Sequence, residues 1–198
     1  MEGYKYLATY ILATVIHDLT IIFCTRYIDK KSRTTDQMQQ AARSGKQNIA
    51  EGYSFQSLES YIKLLGVSVC SIKELTIDYE DYLRQHNLSI WFKNDPRIRI
   101  FRDFRAVWRF PNIPNTPNLP NNPESASNML LTFCQMETYM LINQIDALKR
   151  KFSLEGGFRE NLFKKRSEFL RRKRLWITPL SPKNLSSRRL YFRQWLCW

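Results

Sequence analysis

Residues 43–53 read RSGKQNIAEGY, and two local structures compete for them. The quartet Arg43-Ser44-Gly45-Lys46 has the residue types of a phosphate-binding loop. Such a loop needs G-x-x-x-x-G-K-[ST] at the end of a strand, so that successive backbone N–H groups can cradle phosphate. No glycine precedes Gly45 at that spacing, residue 47 is Gln, and no alternating apolar–polar run leads in. The stretch therefore reads as the end of a helix. Arg43 and Lys46 fall on its exposed side and Ile49 on its buried side. Gly52 is expected to be the left-handed residue that stops it, with Tyr53 packing after the stop.

Working outward, Thr34-Thr35-Asp36 offers an N-cap that starts this helix, placing it over about 34–51. The segment before it, about 4–30, is apolar on more than one face: Leu7, Ile11, Val15, Leu19 and Ile22 on one side, Leu12, Ile16 and Phe23 beside them. An arc that wide needs more than one neighbour; other helices supply some of the cover, and a subunit interface could supply the rest. Residues 7–24 do not read as a signal or membrane span. Met1-Glu2-Gly3-Tyr4 lacks a cationic start, no small-residue cleavage site follows, and Asp18 would sit in mid-span.

A third helix, about 57–86, is capped by Ser57. It carries Leu58, Ile62, Leu65, Val69, Ile72, Thr76, Tyr79 and Leu83 at alternating steps of four and three, a sustained packing seam. KNDPRIRIFRDFRAVWRF (93–110) mixes five arginines with aromatics and reads as a short helix after Pro96. Single-strand binders combine such residues, and core aromatics suit the pattern equally. PNIPNTPNLPNNP (111–123), with five prolines and five asparagines, excludes a helix and reads as a linker or long loop. Ser125 can start the fourth long helix, about 124–153, with Leu130, Phe133, Glu137, Met140, Gln144, Leu148 and Phe152 along one side. Gly156-Gly157 breaks the chain before a basic helix that runs to 174, and residues 175–198 have no assigned structure.

The charge is unevenly placed. Residues 1–110 hold 16 Lys+Arg against 12 Asp+Glu, residues 111–155 hold 3 against 4, and residues 156–198 hold 12 against 2. A net +10 therefore sits on the last fifth of a +13 chain. Such a segment suits an anionic partner, nucleic acid foremost. On the last helix Arg159, Lys164, Lys165, Arg166, Arg171, Arg172, Lys173 and Arg174 surround Phe158, Leu162, Phe163, Phe169 and Leu170. A solvated charge run and an in-plane membrane helix are the competing readings.

Catalytic chemistry finds little support. Cys24, Cys70, Cys134 and Cys197 form no C-x-x-C pair, and with only His17 and His86 there is no metal-ligand spacing. The first three cysteines fall in apolar helical patterns and read as buried, inert thiols, which points to a reducing, cytoplasmic compartment. His17 and Asp18 are helix neighbours about 100° apart, poor geometry for a dyad. Glu51, Glu59 and Glu74 could converge in a core, but the Glu-x-x-His pattern of a helical di-metal site is missing.

DQMQQAARSGKQNIAEGY, followed by SYIKLLGVSVCSIKELTIDYEDYL, resembles the bacterial four-helix-bundle family first noticed as proteins encoded in intervening sequences of large-subunit ribosomal RNA. The matching positions are Ala41-Ala42, Asn48 to Gly52, and Ser71 to Leu75. His17 to Thr35 and Glu155 to Arg166 resemble the subgroup with a four-helix-bundle suffix domain, so the likeness spans about 5–174. It implies an all-α, antiparallel up-and-down four-helix bundle assembled as a homo-oligomeric ring, with a homopentamer as the suggested state. A relative of similar fold, the accessory variability determinant of diversity-generating retroelements, is a basic pentamer that binds nucleic acid and works with a reverse transcriptase. The family has no established catalytic residues. The insertion at 111–123 and residues 175–198 depart from it.

The expected organisation is thus a bundle over 1–155, a basic suffix helix over 156–174 and a tail. The expected function is non-catalytic binding of RNA or DNA with low sequence specificity, through Arg43, Lys46, Lys164, Lys165, Arg166, Arg171, Arg172, Lys173 and Arg174. A reverse transcriptase is a candidate partner, and a membrane is not. Asn48, Glu51 and Gly52 are the structural motif, and no cofactor or metal is expected. The alternative is a scaffold that recognises an acidic protein partner.

Overall fold

The computed structural model describes residues 2–55, 57–102 and 117–177, and all regular structure among them is helical. After a 3-10 turn at Gly3–Tyr6 come α1 (Ala8–Tyr27), α2 (Arg33–Ser54), α3 (Leu58–Gln85), α4 (Pro96–Arg102), α5 (Pro123–Glu155) and α6 (Phe158–Ile177). The chain divides at Gly156 into two compact units. Residues 103–116, which include the second part of the arginine-aromatic stretch and the start of the linker, lie outside the described residues, as do 178–198 with Cys197.

In the first unit α1 and α3 each pack on both α2 and α5, around one apolar core. The wide apolar arc of α1 is what this requires: Ile11, Leu12, Val15, Ile16, Leu19 and Phe23 are all buried. By length and composition α1 could also cross a membrane, but here protein covers that arc. Polar groups inside the core are bonded across helices. Thr20 donates to the Ile16 carbonyl at 2.6 Å, so the 2.9 Å contact of its hydroxyl with Tyr79 must be donated by the tyrosine. Gln144 accepts from Thr9 at 2.8 Å and donates to Tyr61 at 2.6 Å, tying α5 to α1 and α3.

Several boundaries differ from expectation, each for a local reason. Ser32 caps α2, its hydroxyl accepting from the Thr34 N–H at 3.2 Å, so the helix begins ahead of Thr34-Thr35-Asp36. Asn122, and not Ser125, caps α5 by accepting from the Glu124 and Ser125 N–H groups, with Pro123 in the first turn where its missing donor costs nothing. The described end of the linker is tied down: Leu119 is buried, its carbonyl accepts from Arg26 at 3.2 Å, and that of Pro120 accepts from Tyr27 at 2.9 Å.

The larger correction concerns Gly52. Helix α2 continues through it to Ser54, and Gly52 is buried in helical conformation. A Cβ placed there would lie 2.7 Å from Tyr61 Cδ2, and one at Gly45 would lie 2.7 Å from Ile72 Cδ1. Seven residues apart, the two glycines share one face of α2 and let α3 approach closely. Ser68 donates to the Gly45 carbonyl at 2.6 Å, and Ser44 meets Ser71 at 3.0 Å, Oγ to Oγ. The glycine that does leave the right-handed region at a helix end is Gly156, φ 76°, after α5.

The α3 seam is present and wider than expected. Leu65, Ile72, Tyr79 and Leu83 are buried, joined by Tyr61, Leu75 and Tyr82, whereas Leu58, Ile62, Val69 and Thr76 are half-buried. Cys70 is exposed, contrary to the buried thiol expected, because it shares the outer face of α3 with Val67 and Ile77. Cys24 and Cys134 are buried, and burial pushes the Cys24 thiol up to about 12.

Candidate nucleic-acid interface

The cations proposed to meet phosphate fall in both units. In the second, α6 opens with the Gly157 N–H donating to the Glu160 carboxylate at 3.2 Å, half of a capping box. Lys164, Lys165, Arg166, Arg171, Arg172 and Lys173 are all exposed on it, and Arg174 continues its backbone. Phe158, Leu162 and Phe169 follow at steps of four and seven, and Phe163 and Leu170 lie seven apart, giving two adjacent apolar lines; all five side chains are exposed. The helix therefore presents cations and apolar rings to solvent together.

In the first unit Arg43 is exposed on α2, as expected. Lys46 is only half-buried and does not point freely outward: its Nζ lies 3.4 Å from His17 Nδ1 across the α1–α2 contact. The same Nδ1 lies 3.2 Å from Asp18 Oδ1, so it can donate to Asp18 or accept from Lys46, but not both. His17 and Asp18 do meet, despite their angular separation on the helix.

Asn48 and Glu51 of the expected motif make contacts within α2. Asn48 donates to the Ser44 carbonyl at 2.8 Å and lies 3.0 Å from its hydroxyl, which continues the chain to Ser71. Glu51 is exposed and accepts from Gln47 one turn back at 3.3 Å. Glu51, Glu59 and Glu74 are all exposed and build no acidic core.

The groove between α2 and α3 is lined by Asp36, Glu74 and Asp78 with Arg33. Burial first, then Asp81 and Glu74, hold the Asp78 carboxyl above its ordinary range. An anionic backbone is repelled from such a groove, which leaves α6 the stronger of the two expected surfaces.

Two features go beyond the sequence reading, which placed Glu137 among the apolar residues along one side of the fourth helix without giving it a role, and which gave no pocket on that helix. Glu137 is fully buried on α5, and neither carboxylate oxygen has a hydrogen-bond partner among the described residues. Desolvation drives its pKa well above the ordinary value, which favours the neutral acid over the carboxylate. The other is a small pocket between the chain after α3 and the flank of α5. Its two sides are well separated in sequence, and no local pattern joins them.

No family model, curated protein or solved structure matches the chain, so the surfaces are read from their own residues.

Proposed function

We propose that this chain is a non-catalytic, homo-oligomeric protein that binds RNA or DNA through α6, with its long helices forming an antiparallel up-and-down four-helix bundle. The observation that carries the reading is the exposed cluster from Lys164 to Lys173, in a segment of 12 Lys+Arg and 2 Asp+Glu, on an otherwise near-neutral chain. Contacts of that kind go to phosphate and carry little sequence information. Self-assembly is favoured by large apolar side chains left exposed on α3 and α5, namely Val67, Ile77, Tyr139 and Ile142. A homopentameric ring would repeat the α6 cations around one axis and raise avidity for a long polyanion. Within that reading the chain serves as an accessory to a reverse transcriptase, keeping its template strand bound.

Titrating RNA and DNA across a salt series tests the assignment. Each phosphate neutralised contributes about 0.9 to the log–log salt slope on duplex DNA and about 0.7 on single strands. Changing Lys164, Lys165, Arg166, Arg171 and Arg172 together to Gln should flatten the slope by several such steps. A variant that binds as wild type, with the same slope, rejects α6 as the interface.

A further inference from the structure

We propose that the pocket between residues 91–102 and α5 receives one unpaired nucleobase, stacked against Phe92, while Lys93 and Arg102 contact the adjoining phosphates. This rests on the nucleic-acid reading above and adds a base-binding site on the helical body.

The site begins with how the chain leaves α3. Asn87, at φ 55°, turns it, and the Leu88 N–H donates to the Leu83 carbonyl at 2.8 Å. Trp91 is then clamped on α5. Its backbone N–H donates to Asn128 Oδ1 at 2.8 Å and its indole N–H to Glu124 at 2.7 Å. The Arg97 guanidinium lies 3.6 Å over the indole, and Phe101 lies near-parallel to it at 6.2 Å. Arg97 is itself held by Asp95 at 2.7 Å. A buried tryptophan fixed this firmly leaves its neighbour little choice of direction. Phe92 is 86% exposed, a large area of hydrated apolar surface left uncovered by the described residues.

Beside that ring is a pocket of about 190 Å³. Pockets that enclose drug-sized ligands span roughly 300–1,000 Å³, so this one takes a single planar ring and not a whole nucleotide. Its rim carries the cations Lys93 and Arg102, and its floor is Leu131 and Thr132 of α5. A planar ring flanked by negative charge fits that combination; an aliphatic side chain leaves the cations unused.

The polar inventory also says how selective the site can be. Asn128 lines the pocket, but it is fully buried and both its donors are spent: its oxygen accepts from Trp91, and its amide donates to the Ser89 and Glu124 carbonyls, both at 2.9 Å. The Thr132 hydroxyl donates to the Asn128 carbonyl at 2.7 Å, so toward a ligand its oxygen can only accept. Gln135, exposed at the rim, can donate or accept. One fixed acceptor and one adaptable amide discriminate weakly among bases. Stacking supplies the binding, as in sequence-tolerant single-strand sites.

The full-length chain should be titrated with a short single-stranded oligonucleotide carrying one 2-aminopurine, and with the matching duplex. Wild type should quench the 2-aminopurine in the single strand. Phe92→Ala should weaken single-strand binding roughly tenfold and abolish quenching, while duplex binding is unchanged. Because Phe92 is exposed, the circular dichroism of the variant should match wild type, and Phe92→Trp should restore both signals. Lys93→Gln and Arg102→Gln should each lower the single-strand salt slope by about 0.7. A Phe92→Ala chain that binds and quenches like wild type overturns the pocket and leaves the α6 interface standing. A wild-type chain that binds neither probe overturns both.

Discussion

The crossing of α2 and α3 and the length of α6 use side chains in opposite ways. At the crossing, Gly45 and Gly52 withhold them, so that Ile72 and Tyr61 fill the vacated space and Ser68 reaches a backbone carbonyl. Along α6, long cationic and aromatic side chains extend into solvent. One region derives its meaning from shape and should be intolerant of added atoms. The other derives its meaning from charge and should tolerate most substitutions as far as folding is concerned.

The strongest way to break that contrast is to fill the crossing. Gly45→Leu should cost about 3 kcal/mol or prevent folding, because even its Cβ meets Ile72 Cδ1. Urea unfolding reads this, and a Gly45→Leu chain of wild-type stability would refute the close approach.

Next in size is the core's own exception, Glu137. Replacing it with Met removes a buried carboxyl that has no hydrogen-bond partner among the described residues and should stabilise the protein by about 1–3 kcal/mol. The sign of its pH dependence follows from the raised folded-state pKa. Below the ordinary value of 4.5 the acid is protonated both folded and unfolded, and no pH-dependent penalty applies. Above it only the unfolded chain sheds the proton. Wild type should then lose about 1.4 kcal/mol per pH unit relative to the Met variant, until the folded-state value is passed. Parallel unfolding curves from pH 4 upward would contradict this.

The smallest effects sharpen the comparison. Gly52→Ala should destabilise by about 1–2 kcal/mol, since the Tyr61 ring it would strike is held by Gln144. Gly66→Ala on α3, where a Cβ meets nothing within 4 Å, should stabilise by about 0.5–1 kcal/mol through helix propensity alone. Opposite signs from one chemical change would show that contact, and not glycine content, decides.

Much of the helical layout was legible in residue spacing. The steps of four and three from Leu58 to Leu83 mark α3, and the break at Gly156-Gly157 separates α5 from α6 because two adjacent glycines favour a helix stop. Gly52 was misread for a physical reason. A glycine followed by an aromatic has the composition of a helix stop, and closeness of approach is a property of two helices, which no single stretch encodes. Lys46 is the same case, since His17 arrives from another helix. The cations of α6 could be read directly because exposure asks nothing of a partner. The Phe92 pocket could not, because its floor lies on α5 and its wall follows α3.

The raised pKa of Glu137 also makes unfolding a proton-releasing reaction. At any pH between the ordinary glutamate value and the raised folded-state one, each molecule that unfolds hands one proton from this site to the buffer. The heat absorbed in a calorimeter should therefore change with the ionisation enthalpy of the buffer chosen. The interior of this helical body can be followed from outside, by the heat its solvent takes up.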